Sequence, residues 1–237
     1  MDNLSQFNRA AATAAQVRYD EGLRRHMLGI YRNMGIGLAI TGVVAMLVAS
    51  SPGLSALIFG TPLKWVAMLA PLAFVFFFTF RIEKMTIATA RTAFLAFAAV
   101  MGVSMAAIFL VYTNTSIAMA FFTASAMFAG LSLWGYTTGK DLSGFGSFLM
   151  VGLIAVIGAS LVNLLIGSSV LQMVVSAVGV LVFAGLTAWD TQRLKSEYLA
   201  YAGTQATEKL AVMGALSLYL NLINMFQLLL GLMGERE

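Results

Sequence analysis

Seven stretches of nearly unbroken apolar residues dictate what this chain can become: 33–50, 65–80, 92–112, 115–134, 145–167, 169–189 and 211–233. About 20 apolar residues in a helix cross ~30 Å of hydrocarbon, so each run is long enough, or nearly so, to span a bilayer. Inside lipid every backbone amide must find its partner within a helix or a closed barrel. A barrel would alternate apolar and polar residues along ten-residue strands, and these runs are continuous. The fold expected is therefore an all-α membrane protein, a seven-transmembrane-helix bundle. The second run is the shortest and extends back through 54–60, interrupted by Thr61-Pro62-Leu63-Lys64. Short connections leave no room for a separate soluble domain, so residues 27–234 read as one transmembrane domain. Residues 1–26 are polar and Ala/Arg-rich without an apolar h-region, which reads as a flexible cytoplasmic tail and not a signal peptide.

Composition supports the membrane reading and removes several functions. The chain is 60% hydrophobic and only 10% charged, against roughly 25% charged in a soluble domain. It has no cysteine, which excludes disulfides, thiolate metal sites and a cysteine nucleophile. Its one histidine, His26, lies in the polar N-terminal segment, so neither a histidine-ligated metal nor a His-based triad is expected within the bundle. With no second buried acid to pair for acid–base work, no enzymatic activity, metal or cofactor is expected. The net charge of +4 is spread over segment ends instead of forming a stripe, which argues against nucleic acid as a partner.

The same basic residues orient the chain. With the N-terminus inside, the cytoplasmic segments carry Arg9, Arg18, Arg24, Arg25, Arg32, Arg81, Lys84, Arg91, Lys140, Arg193, Lys195 and Lys209, and the outer ones carry Lys64 and Arg236. Lys and Arg concentrate on the cytoplasmic side, so the N-terminus is expected in the cytoplasm and the C-terminus outside. Small-residue spacings such as Gly35/Gly37, Gly152/Gly158, Ala155/Ala159 and Gly179/Gly185 read as ordinary close helix packing.

Against this background one residue stands out. Asp190 is the acid pressed against the end of an apolar run, in the phrase Gly185-Leu-Thr-Ala-Trp-Asp-Thr-Gln-Arg193, while the other nine acids lie in tails or connections. An ionised side chain at membrane depth costs about 2.5–3.5 kcal/mol on insertion scales, and one that persists has a partner or a job. A second feature is polar: Ser217, Asn221 and Asn224, spaced four and three apart, share one face of the last run, and Gln227 continues it. Amides facing lipid would go unsatisfied, so this face is expected to point inward and make the last helix central. Two readings of the stripe stay open: interhelical hydrogen-bonding glue at about 0.6 kcal/mol each, or a polar path lined by Ser217, Asn221 and Asn224 together with Asp190.

Three phrases together resemble the Bax inhibitor-1 family of membrane proteins, in its bacterial YccA-like branch. They are Gly130-Leu-Ser-Leu-Trp-Gly-Tyr-Thr-Thr-Gly-Lys-Asp-Leu-Ser143, Trp189-Asp-Thr-Gln-Arg-Leu-Lys195, and Ala215-Leu-Ser-Leu-Tyr-Leu-Asn-Leu-Ile-Asn224. The resemblance covers about residues 28–233. It implies a seven-helix bundle with the last helix at the centre, placed in the bacterial inner membrane. It also implies a cytoplasm-proximal aspartate pair whose shared protonation gates a calcium leak. The first aspartate of that pair matches Asp190; the second falls at Asn221, where this sequence departs. A basic residue near the end of the second helix pairs with the first aspartate in the family, which makes Arg81 and Lys84 candidates beside Arg193. With asparagine at 221 the like-charge term between two carboxylates is gone, so Asp190 is expected to titrate singly and to bind calcium, which seeks several anionic oxygens, more weakly.

Two functions follow from the resemblance. One is a pH-influenced cation (calcium) leak channel with Asp190 as the titrating latch, Arg81, Lys84 or Arg193 as its basic partner and Asn221 as its hydrogen-bonding neighbour. The alternative is a non-transporting regulator that binds a membrane-bound AAA protease, with the polar N-terminal segment as its handle.

Overall fold

In the computed structural model, residues 2–204 and 206–236 are described, with side chains from residue 20 onward. Among the described residues eight α-helices follow one another: α1 (Asp2–Ala49), α2 (Pro52–Phe59), α3 (Leu63–Arg81), α4 (Ile87–Met105), α5 (Asn114–Thr137), α6 (Ser143–Ile166), α7 (Ser169–Tyr201) and α8 (Ala206–Met233). Short 3-10 turns at Ile82–Lys84 and Ala106–Leu110 follow α3 and α4, and no strand forms among the described residues. Among the described residues seven helical stretches are long and apolar enough to cross a membrane, one for each run read from the sequence. The short α2, opened by Pro52 at its first turn, holds the 54–60 stretch as a separate helix instead of an extension of the second span.

Local chemistry sets the boundaries. Thr86, Thr113 and Ser168 cap α4, α5 and α7, each side-chain oxygen accepting from the backbone N–H three residues on. Gly167 takes the left-handed conformation (φ 68°) that ends α6, its N–H donating to the Asn163 carbonyl at 2.7 Å.

Two helices run well past the apolar limits expected from hydropathy. Helix α1 begins at Asp2, within the segment read as a flexible cytoplasmic tail, and Leu23, Met27, Ile30 and Met34 are buried in the core. Among the residues with described side chains, the core thus already includes Leu23. Helix α7 continues to Tyr201, so Asp190 lies within the helix and not at its end. The two extensions meet: the His26 ring packs at a tilt against Tyr198, centroids 5.0 Å apart, and Gly22 lies so close that a Cβ there would be 2.2 Å from the Tyr198 hydroxyl. Leu23, Met27, Ile30 and Met34 recur at four, three and four residues, an apolar stripe on a helix whose other faces carry arginines. Window-averaged hydropathy cancels such a stripe.

Helix α8 is the central element, packed on α7, α5, α1 and α4. Its Tyr219 is fully buried, with Phe94 and Phe97 meeting its ring edge-on at 5.8 and 5.7 Å. Thr41 of α1 has one hydroxyl proton, aimed at the Ala98 or Gly37 carbonyl (2.9 and 3.0 Å). The 2.6 Å contact between Thr41 Oγ1 and Tyr219 Oη therefore has Tyr219 as donor. This knot ties α1, α4 and α8. Tyr219→Phe is expected to cost about 1 kcal/mol, because Thr41 keeps its carbonyl partner while only one neutral hydrogen bond is lost. Thermal unfolding in detergent micelles measures it, and a loss below a few tenths would mean that the knot carries no net stability.

Candidate functional site

The three sequence phrases, distant along the chain, converge on one turn of α7. Gly135 of α5 approaches α7 so closely that a Cβ would lie 2.2 Å from the Ala188 carbonyl oxygen. Gln192 reaches the α5–α6 turn, donating to the Lys140 carbonyl at 2.7 Å and accepting from the Leu142 N–H at 2.8 Å. Lys195 donates to the Tyr136 carbonyl at 3.2 Å and lies over the Tyr136 ring. Asp141, at the start of α6, accepts from the Ser143 N–H at 2.9 Å. Hydrogen bonding from Ser143, side chain and backbone, holds that exposed carboxyl below the usual range. The first and second phrases are thus one interlocked corner.

Asp190 faces the third phrase. Its side chain is 7% exposed, and each oxygen has its own partner: Asn221 Nδ2 of α8 donates to Oδ2 at 2.7 Å, and the Arg193 guanidinium forms an ion pair with Oδ1, Nη2 at 2.8 Å. Arg193 lies three residues on, one helical turn along the same face. Its guanidinium also sits over the Trp189 ring at 4.9 Å and places Nη2 3.4 Å from Ser217 Oγ. Arg193 Nε is buried without a hydrogen bond, its nearest acid oxygen being Glu197 Oε1 at 3.6 Å. A carboxylate taken out of water is tolerated when a counter-charge and hydrogen bonds occupy its lone pairs, and Arg193 with Asn221 meets that condition.

Beside Asp190 runs a second polar line. Thr191 Oγ1 donates to the Thr187 carbonyl at 2.8 Å, so it accepts from Ser132 Oγ at 2.9 Å, and Ser132 in turn accepts from Tyr31 Oη. This directed chain pins α1 and α5 to α7 and fixes the rotation of the turn that carries Asp190.

The candidate residues separate accordingly. Asp190, Asn221, Arg193 and Ser217 come together. Arg81 and Lys84 do not: they end α3 and the turn after it, and α3 packs chiefly on α4 at the edge of the bundle. Among the described residues the basic partner of Asp190 is Arg193. The polar stripe of α8 is also not uniformly inward. Asn221 is buried, Ser217 and Asn224 are half-buried and Gln227 is exposed. Met213, Ser217, Leu220, Asn224, Gln227 and Gly231 recur at four and three residues along the least covered side of the helix. Asn224 can sit there because its Nδ2 donates to the Leu220 carbonyl of its own helix at 2.8 Å. Two participants were not singled out from sequence, Trp189 and Glu197. The spacing 190, 193, 197 on one helical face is the signal that finds Glu197.

The site is a closed contact. Both Asp190 oxygens have partners, Oδ1 in Arg193 and Oδ2 in Asn221. Among the described residues no three His, Cys, Asp or Glu side chains gather as metal ligands. An apolar groove of about 170 Å³ elsewhere, bounded by Leu38, Ala45, Phe109, Phe121, Ile223 and Phe226, holds no charged group.

Residues 23–237 match the family model described as "Inhibitor of apoptosis-promoting Bax1". An uncharacterized protein of Rickettsia prowazekii is 42% identical over 225 residues, covering 95% of each chain. Another from Caulobacter vibrioides is 40% identical over 98% of each chain. The Escherichia coli inner membrane protein YbhL is 39% identical, over 91% of this chain and 94% of its own. A family match across nearly the whole length, seven helices able to span a membrane, and near full-length relatives establish that the chain is an integral membrane protein of the Bax inhibitor-1 family.

Proposed function

We propose that the protein is a pH-influenced cation leak pathway of the bacterial inner membrane, with calcium as the ion, and that Asp190 held by Arg193 and Asn221 is its latch. The observation that carries the reading is the paired, buried Asp190 bridging α7 to the central α8. An ionisable group at membrane depth, closed by its own counter-charge, is a two-state element that one proton can bias. Protonating Asp190 removes the charge that seats Arg193 and leaves a contact that hydrogen bonds alone must hold. The N-terminus faces the cytoplasm in this reading, from the distribution of basic residues. The inner-membrane location rests on the name of the Escherichia coli relative. Basic partners on α3 have no part in the latch. Liposomes loaded with a calcium indicator test it: vesicles carrying the protein should leak calcium faster than empty vesicles, and equal rates would end the channel reading.

A further inference from the structure

Among the described residues, Arg193 Nε is the buried side-chain nitrogen or oxygen left without a hydrogen bond. Such a group needs a physical reason, because leaving a buried donor unmade costs more than a typical bond returns. The geometry supplies one. Arg193 stands between two acids of its own helix, with Nη2 2.8 Å from Asp190 Oδ1 and Nε 3.6 Å from Glu197 Oε1. It forms an ion pair with each, the closer with Asp190 and the looser, beyond hydrogen-bond length, with Glu197. Positions 190, 193 and 197 lie on one face, so the arginine side chain can reach either acid. A guanidinium offers five donors in a rigid fork, and in its present seat the fork serves Asp190 and Ser217 while Nε waits.

We propose that Glu197 is the second seat of Arg193. When Asp190 loses its charge, the guanidinium moves along α7 onto Glu197 and away from Ser217, so the latch has a defined released state. The inference deepens the proposed function by naming what receives the released arginine.

Charged groups on the neighbouring helices have other placements. Lys195 lies against Tyr136 of α5; Glu208 of α8 pairs with Arg91, and Lys209 bonds the Glu83 carbonyl. On α1, Arg25 pairs with Glu21, the His26 ring packs against Tyr198, and Arg24 and Arg32 are exposed. Helix α6 carries no titratable side chain. The exchange we propose involves Asp190, Arg193 and Glu197.

Trp189 gives a direct readout, because the guanidinium lies 4.9 Å from its ring centroid. Trp65 and Trp134, exposed at 49% and 46%, can be replaced by phenylalanine to leave Trp189 as the sole tryptophan. In that background, at neutral pH in detergent, Trp189 emission and acrylamide quenching are compared with and without Glu197→Gln. With Asp190 present the substitution should change little, since the first seat still holds Arg193. With Asp190→Asn it should raise quenching clearly, since both seats are gone. With Arg193→Met added to Asp190→Asn it should again have no effect. A response to Glu197→Gln that is the same with and without Asp190→Asn, or one that survives loss of the guanidinium, would overturn the proposal. Ion flux does not enter the readout: absence of leak in liposomes would defeat the channel reading alone, while equal Trp189 responses would defeat the second seat alone.

Discussion

Replacing Arg193 with methionine should destabilise the protein by about 3 kcal/mol at neutral pH, and adding Asp190→Asn should restore most of the loss. Breaking a buried ion pair by deleting one partner costs about 3–5 kcal/mol, because the surviving charge stays out of water uncompensated. Asp190, with a side chain 7% exposed, is such a survivor. The low end of the range applies because Arg193 is 35% exposed, so water can follow the shortened side chain toward the carboxylate. Methionine retains much of the stem that packs near Trp189, which confines the change mainly to charge. The double variant removes the stranded anion while asparagine keeps the size of the side chain and its contact with Asn221. Unfolding of the four proteins of this cycle in one detergent measures the coupling. A single variant within about 0.5 kcal/mol of wild type, or a double variant no better than the single, would show that Arg193 is not the counter-charge that matters.

The second large effect is expected from Asn221→Asp. Asn221 Nδ2 now donates to Asp190 Oδ2 at 2.7 Å, and the substitution turns that donor into an acceptor. Two ionised carboxylates about 4 Å apart repel by roughly 4 kcal/mol at an effective dielectric near 20, and one Arg193 cannot neutralise both. The pair is expected to share one proton and to titrate as a unit in two steps, where wild type takes up a single proton at Asp190. The sign follows: stability of the variant falls relative to wild type as alkaline pH strips the shared proton, and recovers on acidification. A series of melting temperatures against pH for both proteins reads this out. A difference between them that does not change with pH would mean that the two side chains do not face each other as described.

Much of the architecture was legible from the runs alone, because in lipid the helix is the local solution for any apolar stretch of sufficient length. The centrality of α8 was legible too, though the polar stripe used to argue it was a poor guide. Burial on α8 follows Tyr219, Leu218, Met225 and Leu230, whereas Ser217, Asn224 and Gln227 lie toward its open side. An amide can satisfy itself on the carbonyl four residues back, as Asn224 does, so amide spacing alone does not locate the interior. The extra turns of α1 and α7 were hidden for a different reason. Their apolar contacts, Leu23 and Met27 on one and Leu194 on the other, are diluted by charges on the outer faces. Within the site, the pairing of Asp190 with Asn221 was readable from the correspondence of phrases. The choice of basic partner was not, because Arg81 and Lys84 are placed by where α3 sits in the bundle, which is a tertiary fact. Arg193 needed only the one-turn rule within α7.

In the proposed latch, the charge of Asp190 holds this membrane protein closed to cations. Calcium efflux from proteoliposomes, followed across a pH series for wild type and for Asp190→Asn, measures it directly. Wild-type leak should rise as acid neutralises the latch, and the asparagine variant should leak at a rate that no longer follows pH. Absence of leak from both proteins, or the same pH profile in both, would contradict it.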